Sequence, residues 1–150
     1  MERNVLVMTI GGEPAAIDAA CVQSVIELGP VTGAPGAPEH VEGLTSLRSR
    51  ALTVIDCGRS LGLPRGACEH AGPDVPRLAA VVELDGFSYA LAVDGVSDVI
   101  ALQEPPTATR MALAPGWARA SLGMVATPAG PAQLLDPVRL VAGPLPRCTV

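Results

Sequence analysis

Residues 5–28, VLVMTIGGEPAAIDAACVQSVIEL, and residues 79–102, AAVVELDGFSYALAVDGVSDVIAL, are two versions of one pattern, 74 residues apart with no gap. Seven of the 24 paired positions are identical: Val7/Val81, Gly12/Gly86, Ala16/Ala90, Val22/Val96, Val25/Val99, Ile26/Ile100 and Leu28/Leu102. Farther along the offset becomes 80: Gly43 meets Gly123, Val54-Ile55-Asp56 meets Leu134-Leu135-Asp136, and Arg59 meets Arg139. Self-similarity at a fixed period marks copies of one supersecondary unit. We expect a single domain over residues 1–150, with a pseudo-repeat of roughly 5–63 and 77–141. A unit of that size buries only about 60% of its unfolded surface. The halves are therefore expected to share a core rather than to fold independently.

The unit itself reads as β. Val5–Ile10 is a short apolar run closed by Gly11-Gly12. Arg50–Ile55 and Arg77–Leu84 are β-rich, and Asp85-Gly86 is the dipeptide favoured in a type I′ hairpin turn. Beyond it Phe87, Tyr89, Leu91 and Val93 face one way, and Ser88, Ala90 and Ala92 the other. Leu122–Ala126 and Gln133–Leu135 look like two further strands. Sixteen Gly and fifteen Pro leave little room for long helices. The expected class is all-β, with cores that include Leu6, Val7, Ile10, Val54, Val81, Val82, Leu91, Val93 and Leu134. Val22, Val25 and Ile26, like Val96, Val99 and Ile100, have the i, i+3, i+4 spacing of a helix but little length, so helical turn and strand both stay open. Gly29–Pro38, Pro64–Pro76 and Gln103–Gly116 read as loops.

Composition removes several functions. The ten basic residues are all Arg against fifteen acidic ones, a net charge of −5. That balance lacks the basic footprint of a nucleic-acid or anionic-membrane binder. One Trp, one Tyr and one Phe make no stacking platform for bases. Without Lys there is no Schiff-base chemistry and no phosphate-loop lysine. Cys21, Cys57, Cys68 and Cys148 are scattered and form no C-x-x-C pair, which suits reduced thiols. No apolar stretch is long enough to span a bilayer, so a cytoplasmic location is expected.

Candidate chemistry is thin. His40 and His70 lie in turn-rich segments, and Cys68-Glu69-His70 lacks further ligands at metal-binding spacing. No cofactor is expected, and no G-x-G-x-x-G is present. Val54-Ile55-Asp56-Cys57-Gly58 is similar to the Asp-Thr/Ser-Gly motif of aspartic proteases, with Asp136 as a possible second carboxylate. Yet Cys57 stands where that motif has a hydroxyl, and Pro137-Val138 follows Asp136. N-capping of short helical turns explains both aspartates at once and is the stronger reading.

In order and spacing these pieces resemble CheW, the adaptor of bacterial chemosensory arrays. The resemblance runs from about Val5 to Val141 and is most specific in Val93-Asp94-Gly95-Val96-Ser97-Asp98-Val99 and in the block from Gly43 to Leu63. It implies two five-stranded β-barrels around a shared core, without catalysis or cofactor. The implied partners are the signalling tip of a chemoreceptor and the regulatory domain of a CheA-type histidine kinase, which itself resembles CheW. Arg48 falls on the arginine of the family's Asn-Leu-Arg-Gly receptor-contact turn, and Gly43 on the glycine before it. Val22 and Val25 match apolar positions of the partner groove between the barrels.

The departures cluster near that groove. Ser46 and Ser49 replace Asn and Gly of the turn, Ser24 stands where Glu is frequent, and Thr53 stands where Pro is usual. Cys57-Gly58 and Ala90 also differ from the family pattern. A copy specialised for one of the two partners is therefore the alternative reading. An Asp-dependent hydrolase built on Asp56 and Asp136 is the third.

Overall fold

The computed structural model describes residues 3–33, 35–63, 77–108, 113–128 and 130–143. The Pro64–Pro76 loop, Cys68, His70 and Cys148 lie outside these residues. The described chain carries strands β1 (Arg3–Ile10), β2 (Glu13–Asp18), β3 (Val22–Glu27), β4 (Val41–Leu47) and β5 (Arg50–Asp56) in its first half. Its second half carries β6 (Leu78–Leu84), β7 (Phe87–Val93), β8 (Gly95–Leu102), β9 (Ser121–Thr127) and β10 (Gly130–Leu135). Three short helices follow strands or a loop: α1 (Cys57–Ser60), α2 (Pro115–Ala120) and α3 (Pro137–Ala142). The all-β class expected from the sequence is the class observed.

The strands form two five-stranded sheets, ordered β8-β1-β2-β10-β9 and β3-β6-β7-β5-β4. Advancing every strand by five places, and wrapping after ten, converts one order into the other. The pairs β2–β10 and β5–β7 are parallel, and the other neighbours are antiparallel. Neither sheet belongs to one half of the chain. Each takes two strands from one half and three from the other.

Three apolar clusters follow from strand alternation. On β1, Val5 and Val7 pack with Ala16, Val125, Ala132 and Leu134 inside the first sheet. On β6, Ala79 and Val81 pack with Leu52, Val54, Ala90 and Ala92 inside the second. The opposite faces meet between the sheets, where Leu6, Met8, Ile10, Ala80, Val82, Leu91 and Val93 pack with Ile55, Leu135, Leu140 and Trp117. All nine residues expected in the core are buried.

The ambiguous spacing around Val22 and Val96 is now explained. Both segments are strands, β3 and β8, each with a register break: between Val22 and Ser24 on β3, and at Ser97, between Val96 and Asp98, on β8. An extra residue in a strand exchanges its two faces. Val22 and Val96 therefore pack against the central core, whereas Ile26 and Ile100, four residues on, pack inside their own sheets. A bulged strand that buries both faces imitates helical periodicity.

The helices lock the halves together. Ser60 of α1 donates from its hydroxyl to the Leu140 carbonyl of α3 at 2.6 Å. Arg119 of α2 donates to the carbonyls of Ser60 and Arg139 at 3.0 and 2.7 Å, and Arg139 donates back to the Arg119 carbonyl at 3.1 Å. Buried His40 places its Nε2 2.9 Å from the Val141 carbonyl.

Candidate functional site

The β4–β5 hairpin turns on Arg48 and Ser49, with Leu47 paired to Arg50 across it. Both turn residues have positive φ, 50° and 67°. A two-residue hairpin whose strands follow the right-handed twist needs this left-handed geometry, which is why glycine is favoured there. The β6–β7 turn meets the same demand with Asp85 (φ 50°) and Gly86 (φ 82°). Ser49 thus retains the turn at a cost in strain instead of changing its type. Ser49→Gly is expected to raise stability by about 0.5–1 kcal/mol, the left-handed penalty less the extra entropy lost by glycine. Thermal melts of the two proteins measure it.

The four candidate residues all belong to the second sheet, on or beside its edge strands. Val22 and Val25 lie on edge strand β3, Gly43 lies on the opposite edge strand β4, and Arg48 follows it. Arg48 is exposed at the turn, and Val25 is 41% exposed. Val22 is half-buried against the central core. Gly43 is buried, with φ 152°, and a Cβ on it would overlap the Thr32 carbonyl. That close approach lets Thr32 and Leu44 exchange backbone hydrogen bonds of 2.8 Å and cover the edge of β4. Gly123 plays the equivalent part under Thr107, which exchanges bonds with Met124. The repeat alignment of Gly43 with Gly123 thus has a physical cause: each glycine admits a crossing strand segment.

The surroundings of the site combine exposed apolar and small polar residues with paired charges. Leu44 is 47% exposed on β4, and Ser46 and Ala51 are exposed beside it. Arg77 forms two bonds of 2.6 and 2.8 Å with Glu42, and Arg59 meets Glu39 at 2.7 Å. Ser24 is exposed on β3, while the neighbouring Gln23 amide donates to Glu83 at 2.6 Å. Sequence reasoning singled out Arg48 through the family turn but passed over exposed Leu44 and Arg50, whose residue types alone carry no signal.

The two aspartates act as caps. The Asp56 carboxylate accepts from the Arg59 N–H at 3.2 Å and that of Asp136 accepts from the Val138 N–H at 3.0 Å. Asp136 also lies 3.7 Å from Arg139. Among the described residues no hydrogen bond joins the two carboxylates, as proton sharing in an aspartic dyad requires. Burial, then Asp18 and Asp136, push the Cys21 thiol up and keep it protonated, which suits no nucleophile. Burial, followed by Arg139, lowers the pKa of Arg119. Among the described residues no group of three or more His, Cys, Asp or Glu could hold a metal ion. No helix among them is long and apolar enough to cross a membrane.

Comparison with known proteins adds independent findings. The family model described as a CheW-like domain matches residues 4–144. A chemotaxis protein CheW of Rhizobium meliloti (strain 1021) is 26% identical over 102 residues, 68% of this chain and 63% of the relative. A chemotaxis protein CheW of Klebsiella aerogenes is 29% identical over 113 residues, 75% of this chain and again 63% of the relative. The matched region thus spans less than two thirds of each relative's length. The crystal structure of the scaffolding protein TtCheW from Thermoanaerobacter tengcongensis superposes with a TM-score of 0.74 at 23% identity. It covers 91% of this chain and 85% of the other.

Proposed function

This chain belongs to the CheW-like domain family, and from that premise we propose that it is a non-catalytic scaffold coupling chemoreceptors to a histidine kinase in a bacterial chemosensory array. The observation that carries the reading is the family match over residues 4–144, which takes in all but the first residue of the ten strands. The proposed partners are the signalling tip of a methyl-accepting receptor and the regulatory domain of a CheA-type kinase, and the proposed location is the cytoplasm. Binding, not chemistry, would be the mechanism: one rigid body offers two faces at fixed geometry. The engagement of Asp56 and Asp136 as helix caps supports the absence of catalysis.

In this reading Arg48 and Val25 touch the receptor tip. Val22 supports β3 by seating it on the core, and Gly43 supports the hairpin at the opposite edge by letting the Thr32 segment close over β4. Arginine suits such a contact because its planar fork makes several directed bonds.

Arg48→Ala is expected to leave the fold intact, because an exposed charge contributes little to stability. Receptor binding should weaken by about 1–3 kcal/mol, or about 5- to 150-fold. Titration calorimetry of both proteins with a receptor-tip fragment and with the kinase regulatory domain measures this. Equal receptor affinity of the two proteins removes Arg48 from the site. Kinase binding without receptor binding by the wild type points instead to an accessory copy that serves one partner, as the changes at Ser24, Ser46 and Ser49 suggest.

A further inference from the structure

We infer that Arg50 is a second cation of the β4–β5 hairpin tip, and that the surface it meets is an acidic protein surface whose carboxylates engage Arg48 and Arg50 together. The inference rests on the proposed function, since it takes the hairpin as the docking tip. The other arginines among the described residues are already committed. Arg3 meets Asp18 at 3.2 Å, Arg59 meets Glu39 at 2.7 Å, Arg77 meets Glu42 at 2.6 Å and Arg139 lies 3.7 Å from Asp136. Arg119 is spent on the Ser60 and Arg139 carbonyls. Arg48 and Arg50, both exposed, have no carboxylate or carbonyl partner among the described residues.

The place of Arg50 is set by register. It pairs across the hairpin with Leu47, so its side chain leaves the same face of the sheet, the face on which Leu47 packs against the core of the second sheet. Two unpaired like charges, Arg48 in the two-residue turn and Arg50 flanking it, repel each other, and a pair of carboxylates on a partner removes that repulsion. The guanidinium fork binds carboxylates through two parallel bonds, which gives direction as well as attraction. The remainder of the molecule decides the class of partner. With a net charge of −5 and the other described arginines committed, the body repels an extended polyanion. A local acidic patch on a protein gains from the tip without meeting the rest of that field.

The test uses the full chain and a chemoreceptor signalling-tip fragment as probe, at low salt and at about 0.3 M salt, where exposed charges are largely screened. The wild type is expected to lose affinity as salt rises. Arg50→Glu should weaken low-salt binding by about tenfold or more, and Arg50→Lys should retain most of it, because rim charges act through complementarity of sign. Circular dichroism of each variant monitors the fold. If Arg50→Glu binds like the wild type while Arg48→Ala does not, the hairpin docks without Arg50 and the inference fails alone. If the wild type binds phosphatidylglycerol vesicles through Arg50 but not the fragment, the partner is a membrane and the inference fails. If the wild type binds neither the fragment nor the kinase regulatory domain, the proposed function fails and the inference falls with it.

Discussion

Residues 1–70 produced alone should remain unfolded or aggregate, and residues 77–150 should do the same. Mixed, the two fragments should recover β structure that neither has alone. The reason is the exchange of strands between halves. The first sheet needs β1 and β2 from one half and β8, β9 and β10 from the other; the second needs β6 and β7 with β3, β4 and β5. In the isolated first fragment, β2 lacks its parallel partner β10 and β5 lacks β7. Edge strand β3 loses β6 and has no neighbour left. Leu6, Met8 and Ile10 then lose Val82, Leu91 and Val93 on one face of β1, while Val5 and Val7 lose Val125 and Leu134 on the other.

Full burial of one such side chain contributes about 1.5–3 kcal/mol. Losing several removes more than the 5–15 kcal/mol by which a domain of this size is ordinarily stable. The intact chain should accordingly unfold in one cooperative step. Its only Trp, Trp117, is buried in the central core and reports that step by fluorescence. A monomeric 1–70 fragment with a dispersed amide spectrum would contradict the topology. So would two separate denaturant transitions in the intact chain.

The repeat made this architecture legible, but only up to a point. Identity at Val22/Val96 and Ile26/Ile100 carried the equivalence of β3 and β8, but the break in register that they share buries both faces and imitates a helix, so the spacing alone left their type open. Alternation gave β7 its bounds, Phe87–Val93, and the Asp85-Gly86 dipeptide gave the turn before it. The exchange of strands between halves left no local trace, since a strand's own pattern does not say which neighbour it will pair with. Strand β2 was missed because Glu-Pro-Ala-Ala-Ile-Asp is poor in β-formers; the small Ala15 and Ala16 fit between β1 and β10, where both faces are buried. Helix α2 sits within what reads as loop at its start. It has six residues and no side-chain cap at Ala114, and only Pro115 at its first turn marks it. At the candidate site the family turn pointed to Arg48. That Gly43 is buried beneath Thr32 depends on a long-range crossing that composition does not announce.

Gly116→Ala is the single substitution expected to cost most. Alanine inside a helix is ordinarily better than glycine by about 0.5–1 kcal/mol, so helix propensity alone predicts a gain. Here the sign reverses. Gly116 lies in the first turn of α2, where a Cβ would fall on the Leu61 carbonyl, with the Leu61 carbonyl carbon and Cα close behind. These are backbone atoms at the C-cap of α1, so no rotamer change relieves the overlap. Relief requires α1 and α2 to separate. That movement strains the bonds from Arg119 to Ser60 and from Ser60 to Leu140, and it opens the core around buried Leu61 and Trp117. Overpacking alone costs about 1–3 kcal/mol. With the buried hydrogen bonds disturbed as well, about 3 kcal/mol or more is expected. Gly12→Ala is the control: Gly12 has φ 81° but nothing within 4 Å of its Cβ, so only the left-handed penalty of about 1–2 kcal/mol applies. Guanidinium unfolding followed by circular dichroism ranks the two. A Gly116→Ala protein as stable as the wild type, or less affected than Gly12→Ala, would mean that the α1–α2 contact is looser than the structure describes.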